Sequence, residues 1–167
     1  MDLEKVKERL RPDKKGTPEK VLKKINSHAD CIIGGSYAKG TNLRGDYDVD
    51  MFIRYPKGTE DISEKAEEVL KSCGFDYQRI HGSRDYFQFV EGNINFEVVP
   101  VIRISKPQEA QNITDVSPLH VEYMKEHMEA GVNDEVRLTK QFMKAGRVYG
   151  AESYINGFSG HVVDILL

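Results

Sequence analysis

The chain has 167 residues, 39% of them hydrophobic and 31% charged, with a formal net charge of −3. That supplies a packed core for one domain, or for one domain and part of a second, and no apolar run approaches the roughly 20 residues that cross a bilayer. The negative balance speaks against a domain gripping nucleic acid with its whole surface, so the basic surface for any polynucleotide must be a local patch or belong to another domain. The opening Met1-Asp-Leu-Glu-Lys carries no apolar signal core, and a cytoplasmic protein with no membrane partner is expected. Cys31 and Cys73 show no CxxC spacing and read as small buried fillers.

Leu3, Val6 and Leu10 recur at helical spacing before Pro12. Val21, Leu22 and Ile25 do the same after Thr17-Pro18, where Thr17 is expected to cap and Pro18 to take the first helical position. Cys31-Ile32-Ile33 is a short apolar run stopped by glycines, which predicts a buried strand leading into a turn. Val49 to Tyr55, closed by Pro56, is the next strand, and Asp61 to Ser72, with Ile62, Ala66, Val69 and Leu70 on one side, is an amphipathic helix. Runs at Tyr77 to His81, Tyr86 to Val90 and Ile94 to Ile104, separated by glycine turns, predict a β-meander. From Ser117-Pro118 the pattern turns helical, with one helix over 118–130, a break at Gly131, and a second from Asp134 to Tyr149 carrying Val136, Leu138, Phe142, Met143 and Val148. Phe158 reads as core, and an apolar helix closes the chain at Leu167. No internal repeat or low-complexity linker interrupts these elements.

The chemistry concentrates between Gly34 and Asp50. Gly34, Gly35, Gly40 and Gly45 let the backbone approach a ligand or take positive φ, and Ser36 falls where a helix begins and its N–H groups lack partners. Phosphate suits such a turn, which makes Gly35, Ser36 and Lys39 candidate nucleotide-binding residues. Asp48 and Asp50 are two apart on a strand, so both carboxylates share one face while Val49, Met51 and Ile53 take the other. In the last meander strand Ile94, Phe96 and Val98 alternate with Asn95 and Glu97, which puts Glu97 on a polar face that the aspartates could share. Three carboxylates on neighbouring strands suit nucleotidyl transfer, in which two Mg²⁺ ions about 3.5–4 Å apart stabilise the attacking and leaving oxygens. Asp48, Asp50 and Glu97 are therefore the candidate catalytic and metal-binding residues.

Gly35-Ser36 through Asp50, with Glu97-Val-Val-Pro100 downstream, resembles the polymerase-β-like nucleotidyltransferase superfamily. The stretches Asn112 to His120, Asp134 to Ala145, Val148-Tyr149-Gly150-Ala151-Glu152 and Gly157-Phe158-Ser159-Gly160 look like the archaeal, class I CCA-adding enzymes, tRNA nucleotidyltransferases, so the likeness spans nearly the whole chain. It implies that Ser36 touches a triphosphate, that His120, Lys140 and Tyr149 contact the incoming nucleotide chiefly at its phosphates, and that Ser117 lies near its ribose. It further implies transfer of CMP or AMP from CTP or ATP to the 3′ end of tRNA. Two departures from the family pattern stand out: Glu97 replaces the usual aspartate as third carboxylate, and the family enzymes continue well past Leu167. The expected fold is α+β, with a mixed, mostly antiparallel sheet and flanking helices. Residues 1–112 are expected to form the catalytic domain and 113–167 the beginning of a helical neck that continues beyond the chain. Oligomeric state is left open.

Plainer readings exist for each residue. Asp48 and Asp50 could pair with Arg44 and Arg54, Glu97 could be a solvated face residue, and His120 could cover a helix end. Tyr149 could be core. Lys140, Lys144 and Arg147 at i, i+4, i+7 form an ordinary solvated stripe unless that stripe faces the glycine turn. The competing functions are a short nucleotidyltransferase acting on a small molecule or protein, an oligoadenylate synthetase-like enzyme, and a non-catalytic module that only holds a nucleoside triphosphate.

Overall fold

The computed structural model describes residues 2–13, 16–151 and 154–167. Met1 of the opening segment and Glu152 of the Val148 to Glu152 stretch lie outside them. Five strands form one sheet: β1 Cys31–Ile33, β2 Asp48–Tyr55, β3 Tyr77–Ile80, β4 Tyr86–Glu91 and β5 Ile94–Ile102. Their order is β1-β2-β5-β4-β3, with β2 and β5 parallel and every other pair antiparallel, as the mixed sheet expected from the sequence requires. The helices are α1 Leu3–Leu10, α2 Thr17–Asn26, α3 Gly35–Lys39, α4 Ile62–Cys73, α5 Ser117–His127, α6 Val132–Ala145 and α7 Gly160–Leu166.

Alternation along the strands decides which face is dry. Val49, Met51 and Ile53 of β2, Phe87 and Phe89 of β4, and Ile94, Phe96 and Val98 of β5 all point to one side, where Val21 and Ile25 of α2 and Ala66 and Leu70 of α4 cover them. Cys31 and Cys73 are buried in that cluster, as fillers should be. The opposite face is divided. Phe52, Val99 and Val101 form a smaller apolar patch with Ile32 and Tyr86 at one end, while Asp48, Asp50 and Glu97 occupy the other. Asp115, fully buried, ties this end of the sheet to α5: its carboxylate pairs with Arg84 and accepts from the backbone N–H groups of Ile102, Gln111 and Asn112. Burial alone would raise its pKa, but Arg84 and these donors hold it below the usual carboxylate range.

Several boundaries differ from expectation for local reasons. Gly16, not Thr17, is the N-cap of α2, so Thr17 is already helical and does not cap. The helix expected to reach Tyr149 stops at Ala145, because Arg147 turns to a φ of 57°. Gly131 makes the expected break with a φ of 92°. Phe158, expected in the core, is exposed, and so are Phe142, at 77%, and Val148 of the apolar residues that marked this helix. The buried side of α6 carries Val136, Arg137 and Lys140 instead. Among the described residues no helix is long and apolar enough to cross a membrane.

Candidate active site

The register of β2 on β5 aligns Asp48 with Asn95 and Asp50 with Glu97, so the three acids sit on adjacent parallel strands and one face. Asp48 Oδ1 accepts from Asn95 Nδ2 at 2.9 Å, and Glu97 Oε2 accepts from Gln88 Nε2 at 3.0 Å. Asp50 is the central and most enclosed of the three. Burial, then the charge of Glu97 and that of Asp48, push its carboxyl up to about 6, while Lys39 draws it back. Arg44 and Arg54 pair with Asp13 and Asp30, which removes the plain ion-pair reading of the two aspartates.

The glycine turn closes against this triad from the β1 side. Gly34 N–H donates to the Asp50 carbonyl at 2.8 Å, and α3 then starts at Gly35 with a φ of 56°. A Cβ on Gly35 would overlap Asp50 Oδ2, and one on Gly34 would overlap the Phe52 ring. Both positions therefore need glycine so that the turn can touch the acidic strand. Ser36 follows, half-buried, in the first turn of α3. On the other side of the triad opens a cleft of about 800 Å³, lined by Asp48, Asp50, Asn95, Glu97 and Gln88 and extending to Gln78 and Asp76.

The remaining expected site residues gather behind the turn. Lys39 and Lys140 both pair with Asp164 of α7, Lys140 at 2.9 Å, and the side chain of Asp164 has no exposed surface. Lys140 Nζ also donates to Thr41 Oγ1 at 3.0 Å. Lys140 is thus not part of a solvated stripe. It is buried, and burial lowers its pKa against the pull of Asp164. Of the other two lysine-stripe positions, Lys144 pairs with Asp46 and Arg147 lies past the helix end. Asn133 Nδ2 donates to the carbonyls of Lys39 and Gly40, so α6 grips the turn by its backbone as well. His120 of α5 stacks on His161 of α7 with ring centroids 4.2 Å apart, and the pKa of each is lowered by burial and by Lys39. Tyr149 packs its hydroxyl close to Gly160, beside Lys140. Ser117 begins α5, the helix that packs against α3, and is half-buried there.

The donor set, three oxygen acids crowded on one face with the carboxyl of the central one pushed up by burial and by the charges beside it, fits a hard divalent cation. In the arrangement described, Asp48 and Glu97 turn to their carboxamide partners, and among the described residues no three acid, histidine or cysteine side chains converge closely enough to hold an ion. Sequence reading missed Asn95, Gln88, Asn133 and Asp164. Asp164 left a signal, an acid between Val163 and Ile165 in an apolar run, which needs a buried cation.

Residues 18–127 match the family described as nucleotidyltransferase domain, and residues 134–167 match the second domain of tRNA nucleotidyltransferase. The chain is 40% identical over 148 residues to the CCA-adding enzyme of Nanoarchaeum equitans, covering 87% of this chain and 37% of that protein. It is 38% identical over 172 aligned residues to the CCA-adding enzyme of Sulfolobus acidocaldarius, covering 98% of this chain and 41% of that one. The resemblance to archaeal CCA-adding enzymes read in the sequence is borne out, and the chain spans about two fifths of the length of these curated relatives. In fold it is similar to the Cid1 poly(U) polymerase in its Mg- and 3′-dATP-bound crystal structure, with a TM-score of 0.70 at 16% identity over 98% of this chain and 52% of that one. On the match over most of its length, with a glycine turn set against paired acids, the chain belongs to the nucleotidyltransferase domain family.

Proposed function

We propose that this chain is the catalytic part of an enzyme that transfers CMP or AMP from CTP or ATP to the 3′ end of tRNA. The observation that carries the chemistry is the register setting Asp50 beside Glu97, with Gly35 pressed on Asp50. The substrate is supported by the relatives named CCA-adding enzymes and by the second-domain match at 134–167. In this reading residues 1–112 are the catalytic domain, 113–167 the start of a helical neck, and the setting is cytoplasmic.

Asp48, Asp50 and Glu97 would hold Mg²⁺, which supplies charge stabilisation for the attacking hydroxyl oxygen and the departing pyrophosphate. Asp48 and Glu97 reach it by leaving their carboxamide partners, a side-chain rotation on a rigid strand. The backbone N–H groups of Gly35 and Ser36, with the Ser36 hydroxyl, point at the triphosphate. His120 and Tyr149 contribute to the same anion site, and Lys39, also paired with Asp164, adds its charge from the end of α3. Lys140, committed to Asp164, adds its charge from behind the turn, and Ser117 lies toward the ribose. The cleft on the Gln88 side leaves room for the end of the acceptor strand.

Incubating the chain with α-labelled CTP or ATP and tRNA lacking its terminal CCA tests the assignment. Label in tRNA supports it; label in protein or in a small product, with unlabelled tRNA, would reject the tRNA reading in favour of the small-substrate rival. Gly35→Ala is expected to weaken ATP binding, measured by calorimetry, and to lower turnover by about a hundredfold, since displacing the turn from Asp50 misplaces the reacting phosphate. Wild-type turnover in that variant would separate the turn from the chemistry.

A further inference from the structure

We propose that His161 is a proton-accepting contact of the triphosphate site: its ring takes up a proton as the nucleotide binds and donates to the phosphates. The inference rests on the triphosphate reading of the glycine turn and adds to it a residue to which the sequence pattern gives no role. His161 of α7 stacks on His120 of α5 with ring centroids 4.2 Å apart and planes within 18° of parallel. Both rings are half-buried, and among the described residues their nitrogens have no hydrogen-bond partner. Lys39 ends α3, the helix whose first turn faces the phosphates, and α5 packs on that helix, so the pair stands beside the proposed anion site.

The charges around the pair show why a proton is needed there. Lys39 of α3 and Lys140 of α6 are both paired with Asp164 of α7, which leaves the three groups one net positive charge against a triphosphate that brings several negative ones. The Tyr149 hydroxyl, close to Gly160, is a further titratable group on that side. Without nucleotide the rings are neutral: burial, His161 and Lys39 hold His120 below the usual histidine range, and burial and Lys39 do the same to His161. An anion against the pair reverses that balance. Asp164, three positions along the same helix, favours charge on His161 and not on His120, so His161 is the ring that ionises. Rings this close accept one proton and not two, because like charges in contact repel, and the neutral face of His120 then lies against the cation.

The test is calorimetric titration of MgATP into the whole chain, without tRNA, in buffers of different ionisation enthalpy, which reads the protons exchanged per nucleotide bound. Proton release from Asp50 on metal binding is common to wild type and variants, so each variant is compared with wild type. His161→Phe, which keeps an aromatic ring against His120, is expected to lose the uptake and to bind MgATP about tenfold more weakly at pH 6.5, the loss shrinking to within about twofold at pH 8.5, where the wild-type imidazole stays neutral. His120→Phe is expected to retain the uptake. His161→Gln, a neutral donor in place of the ring, repeats the measurement without an aromatic side chain and is expected to lose the uptake as well. Uptake that survives in both His161 variants, uptake lost in His120→Phe alone, or an affinity loss in His161→Phe that is equal at the two pH values would overturn the proposal. Wild-type binding of MgATP without proton uptake would overturn it and leave the triphosphate reading standing; no binding of MgATP by the wild type would overturn both.

Discussion

Asp50→Asn is expected to lower the rate of nucleotidyl transfer by about a thousandfold while raising the stability of the metal-free fold at pH 7. The rate loss follows from removing the central acid of the site: roughly 4 kcal/mol of transition-state charge stabilisation corresponds to about three powers of ten. The gain in stability follows from crowding. The folded Asp50 carboxyl titrates near 6, above its ordinary value, because of burial and because Glu97 and Asp48 stand beside it. A raised carboxyl favours the fold fully below the unfolded pKa, and that contribution is lost as pH rises from the ordinary aspartate range through 6. At neutral pH the ionised group is therefore a liability. The neutral carboxamide removes about 1–3 kcal/mol of it, visible as a higher urea midpoint at pH 7 and no gain at pH 4. An Asp50→Asn protein that is less stable at both pH values would show that Asp50 is an ordinary structural acid.

The largest loss of stability is expected at Asp164. Its carboxylate, without exposed surface, is the counter-ion of both Lys39 and Lys140. Asp164→Ala leaves two ammonium groups under the glycine turn, Lys140 keeping Thr41 as an oxygen partner, and breaking a buried pair from one side costs about 3–5 kcal/mol. The urea midpoint should fall accordingly, and part of the loss should return in the double variant Asp164→Ala/Lys140→Met, which removes one stranded charge. A loss in the range of a surface pair, below about 1 kcal/mol, would mean that water reaches the cluster. Because α6 and α7 hold the turn through Asn133, Lys140 and Asp164, the damage should extend to ATP affinity even though α7 is remote in sequence from the turn.

What was legible in the sequence was local. Period-two alternation in 48–55 and 94–98 gave the dry and polar faces correctly, because one face is buried and a slip of one residue would invert it. The glycine turn was legible because Gly34 and Gly35 tolerate what no other residue does, close contact with Phe52 and Asp50. The partnership of Asp50 with Glu97 was only a possibility, since parity names a face and not a neighbour; the parallel crossing of β5 onto β2 makes them adjacent. The burial of Lys140 was not legible, because its helix spacing says nothing of Asp164, 24 positions later on another helix. Phe142 and Phe158 show the limit of residue type as a guide to burial, since apolar atoms also make up much of any protein surface.

The central claim is that the face shared by β2 and β5 is where metal and triphosphate meet. Its most direct measurement is anomalous scattering from Mn²⁺ in crystals of this chain grown with a non-hydrolysable ATP analogue. The account predicts a peak bound by the carboxylates of Asp48 and Asp50, with the analogue's phosphates against Gly35 and Ser36. Mn²⁺ and phosphates located together elsewhere, with Asp48 still on Asn95 and Glu97 still on Gln88, would contradict it.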